Sequence, residues 1–121
     1  MKKRILVIED TDDNRRILRD LLTASGFEVI EATDGATGVA MAADRVPDLI
    51  LMDIQLPVID GYEATRRIKA DPATRHIPIV AVTSYALAGD EAKTREAGCD
   101  GYIAKPYNPR DLLQKVREFL A

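Results

Sequence analysis

Cysteine occurs once, at Cys99, which excludes an intrachain disulfide and a cysteine-built metal site. A reducing, cytoplasmic setting is the expectation, with Cys99 a small structural residue near a turn. Long apolar runs are missing. The first, Ile5 to Ile8, is too short for a signal-peptide core or a membrane span, and it leads directly into acids. A basic excess is missing too. Lys and Arg number 17 against 20 Asp and Glu, for a formal net charge of −3, with both signs mixed along the chain. No basic stripe or tail marks nucleic acid as a direct partner. Internal repeats, low-complexity tracts and linkers are also lacking.

What is present suits one domain over residues 1–121. The chain is 46% hydrophobic, enough for a single core. The last helical pattern reaches the C-terminus, so no output domain is expected within this sequence. Strand-like and helix-like segments alternate. Strands are expected at Arg4 to Glu9, Glu28 to Ala32, Asp48 to Met52, Ile79 to Val82 and Tyr102 to Ala104. Helices are expected at Asp13 to Ser25, Ala36 to Asp44, Gly61 to Ala70, Leu87 to Ala97 and from Asn108 onward. Ile17, Leu18, Leu21 and Leu22 give the first helix an apolar stripe. Gly26 stops it, as a glycine just past a helix end does. Asn108 suits an N-cap and Pro109 the first helical position. The fourth helix has the poorest apolar face and should pack weakly.

Strands one and three are almost wholly apolar, as strands covered on both faces are. Right-handed crossovers then give an α/β, doubly wound, five-stranded parallel sheet of order 2-1-3-4-5, a flavodoxin-like architecture. Its switch point lies beside strands one and three, and ligands of such sheets bind at the C-terminal strand ends.

Five polar residues stand at those ends: Glu9, Asp10, Asp53, Thr83 and Lys105. Glu9 and Asp10 would repel each other in an empty crevice, and a hard cation held by oxygen ligands relieves that repulsion. The same pair reads equally well as a solvated acidic turn capping the first helix. Asp53 follows four apolar residues. It is either a turn aspartate or a nucleophile able to accept a phosphoryl group as an acyl phosphate. Thr83 could donate its hydroxyl to a phosphoryl oxygen. Lys105 could pair with Asp53 when the site is empty and with the phosphoryl group when it is loaded. Pro106 keeps Lys105 extended and so fixes its direction. Each residue alone is a weak signal, and the set at four strand ends is a specific one.

From end to end the chain resembles the receiver domain of bacterial two-component response regulators. The resemblance rests on Ile5-Leu6-Val7-Ile8-Glu9-Asp10, on Asp48 through Pro57, on Asp60-Gly61, on Val82-Thr83 and on Ala104-Lys105-Pro106. It implies that Glu9, Asp10, Asp53 and the backbone carbonyl of Gln55 hold Mg²⁺, and that Asp53 is phosphorylated. It implies that Thr83 and Lys105 contact the phosphoryl group, and that Thr83 and Tyr102 form the switch. Gln55 and Tyr85 take the positions that tune hydrolysis, with Tyr85 expected to shield the acyl phosphate. A histidine kinase or a histidine phosphotransfer protein would supply the phosphoryl group. Arg15, Arg16, Arg19 and Asp20 on the first helix, with Tyr107, Asn108 and Pro109, would be its docking face. The chain reads as a monomeric phosphoacceptor switch that signals by protein contact or onward transfer.

Three rivals are weaker. A flavin protein of this architecture needs an amide- and hydroxyl-rich first loop, and the acidic run Glu9 to Asp13 opposes that. A phosphatase of the haloacid-dehalogenase type carries a second aspartate two residues on, where Gln55 stands. A receiver-like scaffold that is never phosphorylated typically loses one of the key residues, and here all are present. His76, the lone histidine, reads as an exposed turn residue and not as a relay histidine.

Overall fold

Alternating apolar strands and amphipathic helices bury one another in three layers. The computed structural model describes residues 2–83 and 90–120. The order is β1 (Arg4–Ile8), α1 (Asp12–Ala24), β2 (Glu28–Ala32), α2 (Gly35–Arg45), β3 (Leu49–Asp53), α3 (Gly61–Ala70), β4 (Ile79–Thr83), α4 (Asp90–Ala97), β5 (Gly101–Ala104) and α5 (Pro109–Leu120). All pairings are parallel, and the strand order is β2-β1-β3-β4-β5. The expected fold class is therefore the observed one. Element ends differ from the sequence reading by a residue or two, as helix and strand ends commonly do. For α4, residues 87–89 of the expected start lie outside the described residues.

The sheet divides the core in two. On one face Leu6, Ile8, Ile50 and Met52 pack with Ala64 and Ile68 of α3 and Ala42 of α2. On the other, Ile5, Val7, Leu49 and Leu51 pack with Leu18 and Leu22 of α1 and with Leu112 and Val116 of α5. Every residue of β3 and β4 is buried, which explains their unbroken apolar runs. Ile17 departs from its expected place in the α1 stripe, because it is 54% exposed. Leu18 and Leu22, one turn apart, form the ridge against the sheet, and Ile17 lies about 100° around the helix from that ridge.

Side-chain caps fix the starts of α2 and α3. Asp34 accepts from the Thr37 N–H at 2.7 Å, and Asp60 accepts from the Glu63 N–H at 2.9 Å. At the opposite edge of the sheet, Lys69 staples α3 to the strand starts. Its Nζ donates to the carbonyls of Arg75 and Ile77 and to Asp100, which also accepts the Ile79 N–H. Cys99 is buried with its Sγ 3.6 Å from the Thr65 hydroxyl, and burial pushes its thiol pKa up. This matches a structural cysteine and not a reactive one. His76 is exposed, as expected.

Candidate functional site

Four strand ends build one crevice. β1 and β3 are adjacent, with Ile8 opposite Met52. Glu9 extends β1 by one step, since its N–H donates to the Ala32 carbonyl at 3.0 Å. Asp53 closes β3 and lies opposite Val82. Thr83 is one residue further along β4 and opposite Ala104. The Lys105 N–H then donates to the Thr83 carbonyl at 2.6 Å, which carries the β4–β5 ladder to the lysine. The five predicted polar residues thus share one sheet edge.

Their burial is unequal. Glu9, Asp53 and Thr83 are buried at 1%, 6% and 1% exposure, whereas Asp10 is exposed. Carboxylate oxygens of Glu9, Asp10 and Asp53 lie within 4.8 Å of one another. Lys105 Nζ is 2.9 Å from Glu9 Oε1 and 3.7 Å from Asp53 Oδ2. The expected pair with Asp53 is therefore present, and a closer one to Glu9, which the sequence reading did not include, stands beside it. Asp53 Oδ1 accepts the Gln55 N–H at 3.0 Å, and Glu9 Oε2 accepts the Thr11 N–H at 3.2 Å. Each buried carboxylate thereby has one oxygen fixed by a backbone N–H.

Two buried carboxylates sharing one ammonium cannot both ionise freely. Burial is the main force raising Asp53, and the neighbouring Glu9 carboxylate raises it further. The Gln55 N–H and Lys105 oppose them, and the result is a pKa of about 7. Burial also works to raise Glu9, but contacts with Asp53, Lys105 and the Thr11 N–H outweigh it and hold Glu9 below its ordinary value. Of the two, Asp53 is the one that takes up a proton first as pH falls. Three hard oxygen donors and surplus negative charge, balanced by one ammonium, fit a divalent cation such as Mg²⁺, which takes one or two carboxylates and keeps other positions for water and phosphate.

The loop after β3 holds Asp53 by close backbone packing. Gly61 opens α3, and its N–H donates to the Ile54 carbonyl at 2.9 Å. A Cβ there would fall 2.4 Å from the Asp53 carbonyl oxygen and 2.6 Å from Ile54 Cα. Backbone on both sides cannot yield as a flexible side chain would. Gly61→Ala is expected to push α3 off the sheet edge and lower stability by about 1–3 kcal/mol, read by urea unfolding. In the same loop, Val58 has φ 70° and is 92% exposed. A β-branched residue in the left-handed region costs about 1–2 kcal/mol, and sequence inspection gave no sign of it.

The remaining predicted residues are placed as follows. Gln55 is exposed beside Asp53 and orients it through its N–H. Tyr102 on β5 is half-buried against the core that contains Ala81. Tyr85 lies outside the described residues. Arg16 and Arg19 of α1 pair with Asp13, Asp20 and Glu31 near the surface. Arg15 instead folds inward, with its side chain 16% exposed.

Known proteins resemble this chain in sequence and fold. Residues 5–117 match the response regulator receiver domain family. The polar-differentiation response regulator DivK of Brucella anthropi is 42% identical over 120 residues, covering 99% of this chain and 98% of its own. The receiver domain of the sensor histidine kinase PA1611 from Pseudomonas aeruginosa, solved with a magnesium ion coordinated in its active site cleft, is 37% identical. It superposes with a TM-score of 0.93 over 99% of this chain and 98% of that one. The chemotaxis protein CheY4 of Vibrio cholerae, at 26% identity, gives a TM-score of 0.93 over 99% of this chain and 100% of its own. With the family match, the sheet order and the relatives in agreement along nearly its full length, the chain belongs to the response regulator receiver family.

Proposed function

We propose that this protein is a phosphoacceptor switch of two-component signalling, loaded on Asp53 by a histidine kinase or a histidine phosphotransfer protein. The observation that carries the reading is the pairing of a buried, pKa-raised Asp53 with a buried Glu9, an adjacent Asp10 and the Lys105 ammonium.

Asp53 attacks the phosphorus of a phosphohistidine in line. The P–O bond forms as the N–P bond breaks, and the imidazole leaves with the electron pair and takes a proton. Glu9, Asp10, Asp53 and the Gln55 carbonyl would hold Mg²⁺, which when bound supplies charge neutralisation at the transferring group. The Gln55 N–H fixes one Asp53 oxygen, leaving the other, on the Lys105 side, to act as nucleophile. Lys105 lies close enough to exchange its Glu9 contact for a phosphoryl oxygen. The Thr83 hydroxyl, at the end of the neighbouring strand, would donate to a second oxygen. Its movement would release Tyr102 inward and change the face of α4, β5 and α5. Among its described residues α4 buries little besides Thr94 and Ala97, which suits a bistable element.

Docking is supported by a groove of about 560 Å³ between α1 and the β5–α5 loop, lined by Asn14, Ile17, Leu18, Tyr107 and Pro109 and opening onto Glu9 and Lys105. The exposed Ile17 belongs to this groove, which accounts for an apolar residue left uncovered on α1. A cytoplasmic place fits this function, and no described helix is long and apolar enough to cross a membrane.

Intact mass after incubation with acetyl phosphate tests the reading. One phosphoryl mass added with Mg²⁺, and none after chelation, is expected. Unchanged mass together with no binding of beryllofluoride, a stable phosphoryl mimic, would mark a scaffold that is never phosphorylated.

A further inference from the structure

Arg15 sits in the first turns of α1, yet its guanidinium reaches back to the end of β1. Nη1 donates to the Glu9 backbone carbonyl at 3.0 Å, Nη2 meets Asp12 Oδ1 at 2.5 Å, and Nε is 3.4 Å from Glu31 Oε1 on β2. One planar fork thus ties together the strand end, the first turn of its own helix and the neighbouring strand. The Glu9 carbonyl belongs to the peptide that joins Glu9 to Asp10, the two acids that open the crevice. Glu9 is also held through its own side chain by Lys105 and the Thr11 N–H. Asp10 is exposed, and its direction depends on how that peptide is set.

We infer that Arg15 is a positioning residue for the divalent-cation site, clamping the Glu9–Asp10 peptide so that both carboxylates face the ion, with Glu31 as its remote anchor. The inference rests on the cation site proposed above. Arginine suits the task because its five donors lie in a rigid plane, whereas lysine is a single flexible point charge. Groups that orient metal ligands without touching the metal typically change affinity by about 10–100-fold when removed.

The sign of the effect separates this role from two simpler ones. Arg15 is a cation near a cation site, so by charge alone its loss should tighten Mg²⁺ binding. If Arg15 only stabilised the fold, its loss would lower the melting temperature of the metal-free protein and leave affinity unchanged. As a positioning residue, its loss weakens binding despite the favourable charge change.

The test is calorimetric titration of wild type, Arg15→Gln, Arg15→Lys and Glu31→Gln with MgCl₂. The expected result is dissociation constants about tenfold higher for both Arg15 variants, and a smaller rise for Glu31→Gln. An equal or lower constant in folded Arg15→Gln overturns the inference. Should that variant fail to fold, Glu31→Gln decides, and an unchanged constant there overturns it. Wild type that binds no Mg²⁺ overturns the cation site itself, an outcome distinct from variants that match a binding wild type.

Discussion

Asp53→Asn is expected to abolish phosphoryl uptake and, without Mg²⁺, to make the protein more stable than wild type at neutral pH. The two results share one cause. The asparagine keeps a side-chain oxygen for the Gln55 N–H but has no charge, so it neither attacks phosphorus nor competes with Glu9 for Lys105. In wild type the folded Asp53 pKa is raised from 3.8 to about 7. A group whose pKa rises on folding contributes stability that is fully present below its unfolded value and is lost as pH climbs through the folded one. Wild type should therefore lose stability relative to the variant between pH 4 and about 7, with the gap level above that. At one pKa unit per 1.36 kcal/mol, the plateau is on the order of 4 kcal/mol. Saturating Mg²⁺ should shrink it, because a bound cation repays the ionised carboxylate. Thermal melts of both proteins across this pH range, with and without MgCl₂, check the claim. Equal melting temperatures at pH 5 and pH 8 would contradict it.

Lys105→Met should act in the opposite direction. The ammonium is the counter-charge for Glu9 at 2.9 Å and for Asp53 at 3.7 Å, and Glu9 is almost wholly enclosed. Removing one partner of a buried pair leaves a charge with no solvent and no cation, at a cost of about 3 kcal/mol. The loss should be greatest near pH 8, where both carboxylates are pressed to ionise, and least near pH 5, where Asp53 holds its proton. Mg²⁺ should recover part of it. Combined with Asp53→Asn, the lysine variant should lose less than it does alone, since the two residues are coupled. Phosphoryl uptake should fall in Lys105→Met, because in the proposed function Lys105 neutralises the incoming oxygens. Urea unfolding of the four proteins at both pH values measures all of these effects.

Much of this site was legible in the sequence. Glu9, Asp10, Asp53, Thr83 and Lys105 each follow an apolar run, and parallel topology brings the ends of such runs to one edge. What stayed hidden depends on distance and direction, which spacing does not encode. Glu9 and Asp10 are neighbours in sequence, yet one is enclosed and the other exposed, because the β1 ladder runs one residue beyond Ile8. Lys105 reaches from beyond the last strand toward β1, and only its length and the charge of Glu9 decide that it meets Glu9 more closely than Asp53. Ile17 matches the helical period, but Leu18 and Leu22 with Leu21 cover the core, and Ile17, a turn before Leu21, is left facing the groove. Arg15 looked like one more charge on a polar helix face. An arginine near a helix start can turn back across the preceding loop, and nothing in the local pattern distinguishes it from Arg16. Val58 carries a left-handed backbone that its residue type disfavours, so composition pointed away from it.

The central claim is that Asp53 itself carries the phosphoryl group. An acyl phosphate at a carboxylate is reduced by borohydride, which converts that aspartate to homoserine and leaves free aspartates untouched. After loading with acetyl phosphate and Mg²⁺ and reduction, peptide mass spectrometry should find homoserine at position 53 alone, with none in unloaded protein. Homoserine at Asp10, Asp12 or Asp13, with aspartate intact at 53, would contradict the account.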